Sequence, residues 1–119
     1  MTDRPTYAEV LAEPAGRRLD RWVHVLWHGA DPAGFDAGWP GDGLAVSADD
    51  GLARRELQFA PHPSRVERFG PGVVDGVDSF WKAALILDGR VVDAVGLTPA
   101  VAIARCLVAA ALAKGTCGA

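Results

Sequence analysis

Cysteine is scarce in this chain: two of 119 residues, Cys106 inside an apolar run and Cys117 near the end. So sparse a set excludes the dense, even framework of a small secreted disulfide scaffold and points to a reducing, cytoplasmic setting. An apolar run of membrane-spanning length is missing too. The longest, 100–113, is about five residues too short and carries Arg105 near its middle, so it reads as a buried helix. The opening residues show no apolar segment behind a basic start, and no signal peptide is expected. A basic excess is also absent. Twelve Lys and Arg against fifteen Asp and Glu give a formal charge of −3, which disfavours general nucleic-acid binding, where Lys and Arg must displace phosphate counterions. Nor is there a phosphate-cradling Gly-Lys-Thr loop, a Gly-x-Ser-x-Gly elbow or a paired metal motif.

What is present is apolar content. Half the residues are hydrophobic and 23% are charged, which excludes wholesale disorder and predicts one compact domain over 1–119. The charged set is skewed, with ten Arg to two Lys and eleven Asp to four Glu. Together with abundant Ala and Gly, that skew reads as the mark of a GC-rich genome, so the Arg count is not itself a sign of phosphate recognition.

Helices are expected over about 6–27. Thr6 followed by Glu9 is a capping-box pattern that starts a short helix over 7–12. Pro14 suits the first position of a second helix, in which Leu19, Trp22, Val23 and Leu26 recur on one face. Five Gly and two Pro over 29–43 predict a long loop, with Phe35 and Trp39 pinning it to the body. The middle, 44–78, reads as irregular. A short helix capped within Ser47–Asp50 would run to Phe59, 65–69 favours an edge strand, and Val73, Val74 and Val77 suggest a further strand.

Asp88-Gly89 between two β-prone runs is a strong hairpin signal, predicting a hairpin over about 79–97 with Leu87 facing Arg90 and Trp81 facing Gly96. One face then carries Trp81, Ala83, Leu85, Leu87, Val92 and Ala94. The other carries Phe80, Lys82, Ala84, Ile86, Val91, Asp93 and Val95, with Lys82 and Asp93 placed for a diagonal ion pair. Because both faces are largely apolar, both are expected to be covered. The fold class is therefore α+β: a three-layer α-β-α sandwich with a small antiparallel sheet and helices on both faces. Thr98-Pro99 opens a final helix over about 99–114, stopped by Gly115. Its small-residue stripe, Ala102, Cys106, Ala109 and Ala113, predicts close approach of the N-terminal helix or of a second copy.

Both ends of the chain resemble one family. Leu11-Ala12-Glu13-Pro14-Ala15-Gly16-Arg17-Arg18-Leu19-Asp20 is similar to the N-terminal signature of small phage proteins with the phage ABA-sandwich domain. Thr98-Pro99-Ala100-Val101-Ala102-Ile103-Ala104-Arg105 is similar to that family's closing helix, which reads as Thr-Pro, a few small residues, then Ala-Ile-Cys-Arg. The middle departs: in place of a Tyr-Ser-Thr-Asp helix there is Val46-Ser47-Ala48-Asp49 behind the Gly-rich loop. The resemblance implies an α-β-α sandwich of phage or prophage origin in the host cytoplasm, and it implies no activity.

Several residue sets invite a site. Asp20, His24 and His28 at four-residue steps could share a metal, though a solvated helix face is the plainer reading. Asp31, Asp36 and Asp42 lack the spacing and closing Glu of a calcium loop. Ser64 beside His62 is a neighbour pair in sequence and not a triad. Arg54, Arg55, Arg65 and Arg68, with Lys82, could converge near Trp39 as an anion-binding patch. No catalytic set, metal or cofactor is expected. The leading expectation is a non-enzymatic phage or prophage accessory protein that associates with itself as a dimer through Ala102, Cys106, Ala109 and Ala113, or with a phage or host protein. The alternative is a nucleotide-type ligand binder used in counter-defence.

Overall fold

The computed structural model describes residues 5–41, 43–69 and 80–117, and the side chains among these up to 114. The strand suggested at Val73, Val74 and Val77 lies outside the described residues, as does Asp42. The fold is mixed α+β, with five α-helices and a three-stranded antiparallel sheet among the described residues.

Helix α1 is Tyr7–Ala12, opened by the expected reciprocal box: the Thr6 hydroxyl accepts from the Glu9 N–H and Glu9 Oε1 accepts from the Thr6 N–H at 3.0 Å. Helix α2, Arg17–Trp22, starts later than Pro14, because Gly16 is its N-cap. It runs straight into a π-helical turn, Val23–Trp27. The predicted loop contains a helix, α3, Pro32–Gly38. Asp31 caps it by accepting from the Ala33 N–H at 3.0 Å and Pro32 fills its first position, two starting signals that outweigh the glycines. A 3-10 turn, Val46–Ala48, precedes α4, Asp50–Phe59, whose cap Asp49 accepts from the Leu52 N–H at 3.1 Å.

The strands are β1 (Ser64–Phe69), β2 (Phe80–Leu87) and β3 (Arg90–Gly96), in spatial order β1-β2-β3. Asp88 and Gly89 both adopt positive φ, +52° and +79°, the mirror-image turn whose twist suits a two-residue hairpin. Register is as expected, from Leu87 opposite Arg90 to Trp81 opposite Gly96. Helix α5, Pro99–Cys117, is capped by the Thr98 hydroxyl, which accepts from the Val101 N–H, and continues past Gly115.

Helix α5 is the centre of the molecule. On one side it packs on β3 and β2, and on the other on α4, the π-helical turn and the 3-10 turn. Residues 100–104 and 106–111 of this helix are all buried. The stripe Ala102, Cys106, Ala109 and Ala113 is therefore not a free interface. Cys106 Sγ donates to the Val92 carbonyl of β3, and Ala109 and Ala113 border a hollow beside Val91, Val92 and Tyr7. Small residues here admit the strand of the same chain at Cys106, while Tyr7 of the N-terminal helix borders Ala109 and Ala113, so the cover on this stripe comes from within the chain.

The layer behind α5 is tied together by one buried carboxylate. Asp20, 1% exposed, accepts from Trp39 Nε1–H at 2.8 Å and from the Ser47 N–H at 2.7 Å. The Ser47 hydroxyl in turn accepts from the Gly16 N–H. Phe35 is fully buried as well, so both loop aromatics pin their segment to the body as expected.

Where β3 ends, the start of α5 is pressed against it. A Cβ at Gly96 would lie 2.8 Å from Ala102 N and 2.9 Å from Val101 Cγ1, closer than any side chain tolerates. Gly96→Ala is expected to lower unfolding free energy by about 1–3 kcal/mol in urea denaturation. An unchanged midpoint would contradict this contact.

Candidate functional site

Strand alternation divides the sheet sharply. The inner face, against α5, carries Ala83, Leu85, Leu87 and Ala94, all buried. The outer face carries Arg65, Glu67 and Phe69 from β1, Phe80, Lys82, Ala84 and Ile86 from β2, and Val91, Asp93 and Val95 from β3. Among the described residues that face is open: Val91 is 65% exposed, Ile86 45% and Val95 40%. Ile86 and Val91 are cross-strand neighbours and form one exposed apolar pair, with Val95 beyond Asp93 on the same face.

The charges on this face are balanced. Arg65 Nη1 meets Glu67 Oε1 at 2.9 Å, and Lys82 Nζ meets Asp93 Oδ2 at 3.3 Å across the strands, the diagonal pair predicted by the hairpin register. Phe69 and Phe80 stack at 5.1 Å at one end. The two edges differ. On β3, the Tyr7 hydroxyl donates to the Asp93 carbonyl at 2.7 Å and Arg105 Nη1 to the Val95 carbonyl at 2.8 Å, which blunts that edge. Among the described residues strand β1 is the other edge of the sheet.

The five residues of the anion patch are not brought together. Arg54, on α4, lies over the Trp81 ring at 5.7 Å, and Arg68 is paired with Trp81 across the strands on the inner-face side. Arg55 is exposed on α4. Arg65 projects on the outer face, and Trp39 is committed to Asp20 behind α5. A single ligand does not span these three surfaces. Lys82 is on the outer face with Arg65 but is occupied by Asp93.

Asp20, His24 and His28 do border one small hollow of about 160 Å³, but each has its own partner. Asp20 binds Trp39 and Ser47, His24 Nε2 lies 3.2 Å from the Asp31 carbonyl, and His28 Nε2 lies 2.7 Å from Glu56 Oε2. Among the described residues no group of three or more His, Cys, Asp or Glu is arranged to hold a metal. Asp31 serves as a helix cap, Asp36 pairs with Arg17 at 2.6 Å, and Ser64 opens β1. Burial pushes the Cys106 thiol up to about 12, which favours its protonated form at neutral pH.

Two features of these surfaces escaped the sequence reading. One is the openness of the outer face, which no periodicity reveals. The other is Arg105, counted only as a mark against a membrane helix. A lone Arg in a helix otherwise apolar on every side was the available signal. Its Nε and Nη2 donate to the Glu13 carbonyl at 3.1 and 2.8 Å, bridging α5 to the residue before Pro14. Burial lowers its pKa from the ordinary value.

No helix among the described residues is long and apolar enough to cross a membrane. Comparison with models of known families, with curated proteins and with solved structures finds no match for this chain.

The His28–Glu56 contact has a pH signature. Its hydrogen bond to Glu56 raises the His28 pKa, against an opposing effect of burial. A raised folded-state pKa stabilises fully below the unfolded value of about 6.5 and is lost as pH rises through the folded value. Because the pair is partly exposed, the effect is expected to stay below about 1 kcal/mol. In urea titrations, the stability advantage of the wild type over Glu56→Gln should be largest near about pH 5.5 and fade by about pH 8.5. An advantage that grows with pH would contradict the assignment.

Proposed function

We propose that this chain is a non-catalytic association protein, a small phage or prophage accessory of the host cytoplasm, which pairs with a second copy through the outer face of its sheet. The observation that carries this reading is the exposure of Ile86, Val91 and Val95 on a face where positive and negative side chains are equal in number. Such a face is complementary to itself: a two-fold axis can set Arg65 and Lys82 of one copy against Glu67 and Asp93 of the other. A strongly acidic or basic partner would leave half of those charges opposed.

The three-layer arrangement anticipated from the sequence requires both faces of the sheet to be covered. In this reading the second copy supplies the missing cover. The phage or prophage origin rests on the resemblance of the two terminal segments alone. The nucleotide-binding alternative loses its basis, because Arg54 and Arg65 lie on opposite faces of the sheet.

Magnitudes set the concentration range. Burying a half-exposed aliphatic side chain contributes about 1 kcal/mol, so six across a two-fold contribute roughly 6 kcal/mol. Association costs about 4 kcal/mol or more, so these six side chains alone leave about 2 kcal/mol, a Kd of tens of millimolar, and pairing near about 100 µM draws roughly 3.5 kcal/mol more from the charge pairs and the rest of the face. Light scattering on a sizing column should give a mass near 12.5 kDa in dilute samples, rising toward twice that at about 200 µM. Val91→Lys should stay monomeric throughout. A wild-type mass that does not rise with concentration would overturn the reading.

A further inference from the structure

At the end of the sheet, where β3 turns into α5, lies a hollow of about 470 Å³ whose walls are Pro14, Phe80, Val95, Leu97 and Val101, with Arg105 at its border. That is within the range of small-molecule sites, which are mostly apolar with a few fixed polar groups. We propose that it binds a small carboxylic acid with an aliphatic body, the carboxylate meeting Arg105 and the hydrocarbon lying against the apolar walls.

Three observations support this. First, the Arg105 guanidinium is held by neutral acceptors, the Glu13 carbonyl and the Val95 carbonyl, and among the described residues it has no carboxylate ion pair. The Glu13 carboxylate acts on Arg105 electrostatically but makes no contact ion pair with it, pairing instead with Arg18 at 3.4 Å. Second, a guanidinium carries five N–H donors, and those bonds occupy three, so two remain for a ligand that binds in its plane. The carbonyls fix the group from the protein side, so little ordering is left to be done on binding. Third, the rest of the lining is hydrocarbon, and Leu97, 74% exposed, stands at the rim as an unusually bare apolar side chain.

The chemistry selects among ligands. An alcohol of equal length fills the walls but brings no negative charge to the two free donors of the guanidinium. An alkylammonium is repelled. A free inorganic anion meets the cation but leaves the walls wet. Only a molecule with both parts satisfies the hollow. The site is distinct from the pairing surface: Phe80 and Val95 are common to the two, whereas Leu97, Val101 and Arg105 are not on the outer face of the sheet.

Calorimetric titration of the full chain in dilute, monomeric samples tests the proposal, with octanoate as the probe and octan-1-ol and octylammonium as matched controls. Saturable one-to-one binding of octanoate, about tenfold or more tighter than either control, is the expected result. Arg105→Gln should abolish the preference for octanoate, but it also removes the ties to Glu13 and Val95 and can unfold the chain. Leu97→Glu avoids that problem, since it places a carboxylate at an exposed rim. It should weaken octanoate about tenfold or more with an unchanged melting temperature. Absence of saturable octanoate binding to the wild type, equal binding of octanoate and octanol, or unaltered binding by a folded Leu97→Glu variant would each overturn the proposal.

Discussion

A helix that is apolar on every side must be enclosed on every side, and α5 imposes that condition on the rest of the chain. Its residues 100–113 contain a single charged group, Arg105. The sheet encloses one side, with Ala102 and Cys106 small enough to let β3 come close, and α4, the π-helical turn and the 3-10 turn enclose the other. The apolar inner face of the sheet is consumed in this way. The helices that build the layer behind α5 are then on the far side from the sheet's outer face, which is why Ile86 and Val91 remain in water.

The layer behind α5 is short of long helices, and a polar device makes up for it. Helices of six or seven residues are marginal on their own. Asp20 ties two segments distant in sequence, Trp39 and Ser47, to α2 through bonds of 2.8 and 2.7 Å, and none of its buried oxygens is left without a partner. A buried carboxylate stabilises only if its lone pairs are satisfied, and here a backbone donor and an indole donor converge on it. The Gly-rich stretch that looks unstructured by composition is thereby held to the body at its aromatic end. Arg105 plays a comparable part on α5, where its carbonyl partners join the chain before α2 to the end of β3.

Local chemistry was legible in the sequence wherever it was self-contained. The Thr6/Glu9 box, the Thr98 cap, the Asp88-Gly89 turn and the complete hairpin register depend on residues within a few positions of one another, and the structure shows each of them. Helix α3 was also signalled, by Asp31 and Pro32, but glycine density obscured it. What resisted reading was the identity of each partner. Periodicity says that Val91 and Ile86 share a face, and nothing in it says whether that face meets a helix or water. The stripe on α5 has the same ambiguity, since small residues admit a strand as readily as a helix. The Arg cluster failed for a related reason: Arg65 and Arg68 are three apart in a strand, so they point to opposite faces, and proximity in sequence became separation in space.

Enclosure of α5 is the claim on which the open outer face and the binding surfaces depend, and the Cys106 thiol reports on it directly. The measurement is the rate of disulfide exchange with an aromatic disulfide reagent at mildly alkaline pH, in a Cys117→Ser background so that one thiol is followed. Burial against β3 and a thiol pKa of about 12 predict that Cys106 stays unlabelled in the native protein and reacts fully only in concentrated guanidinium. Rapid stoichiometric labelling of the folded chain would mean that α5 is open on its strand side, and would contradict the account.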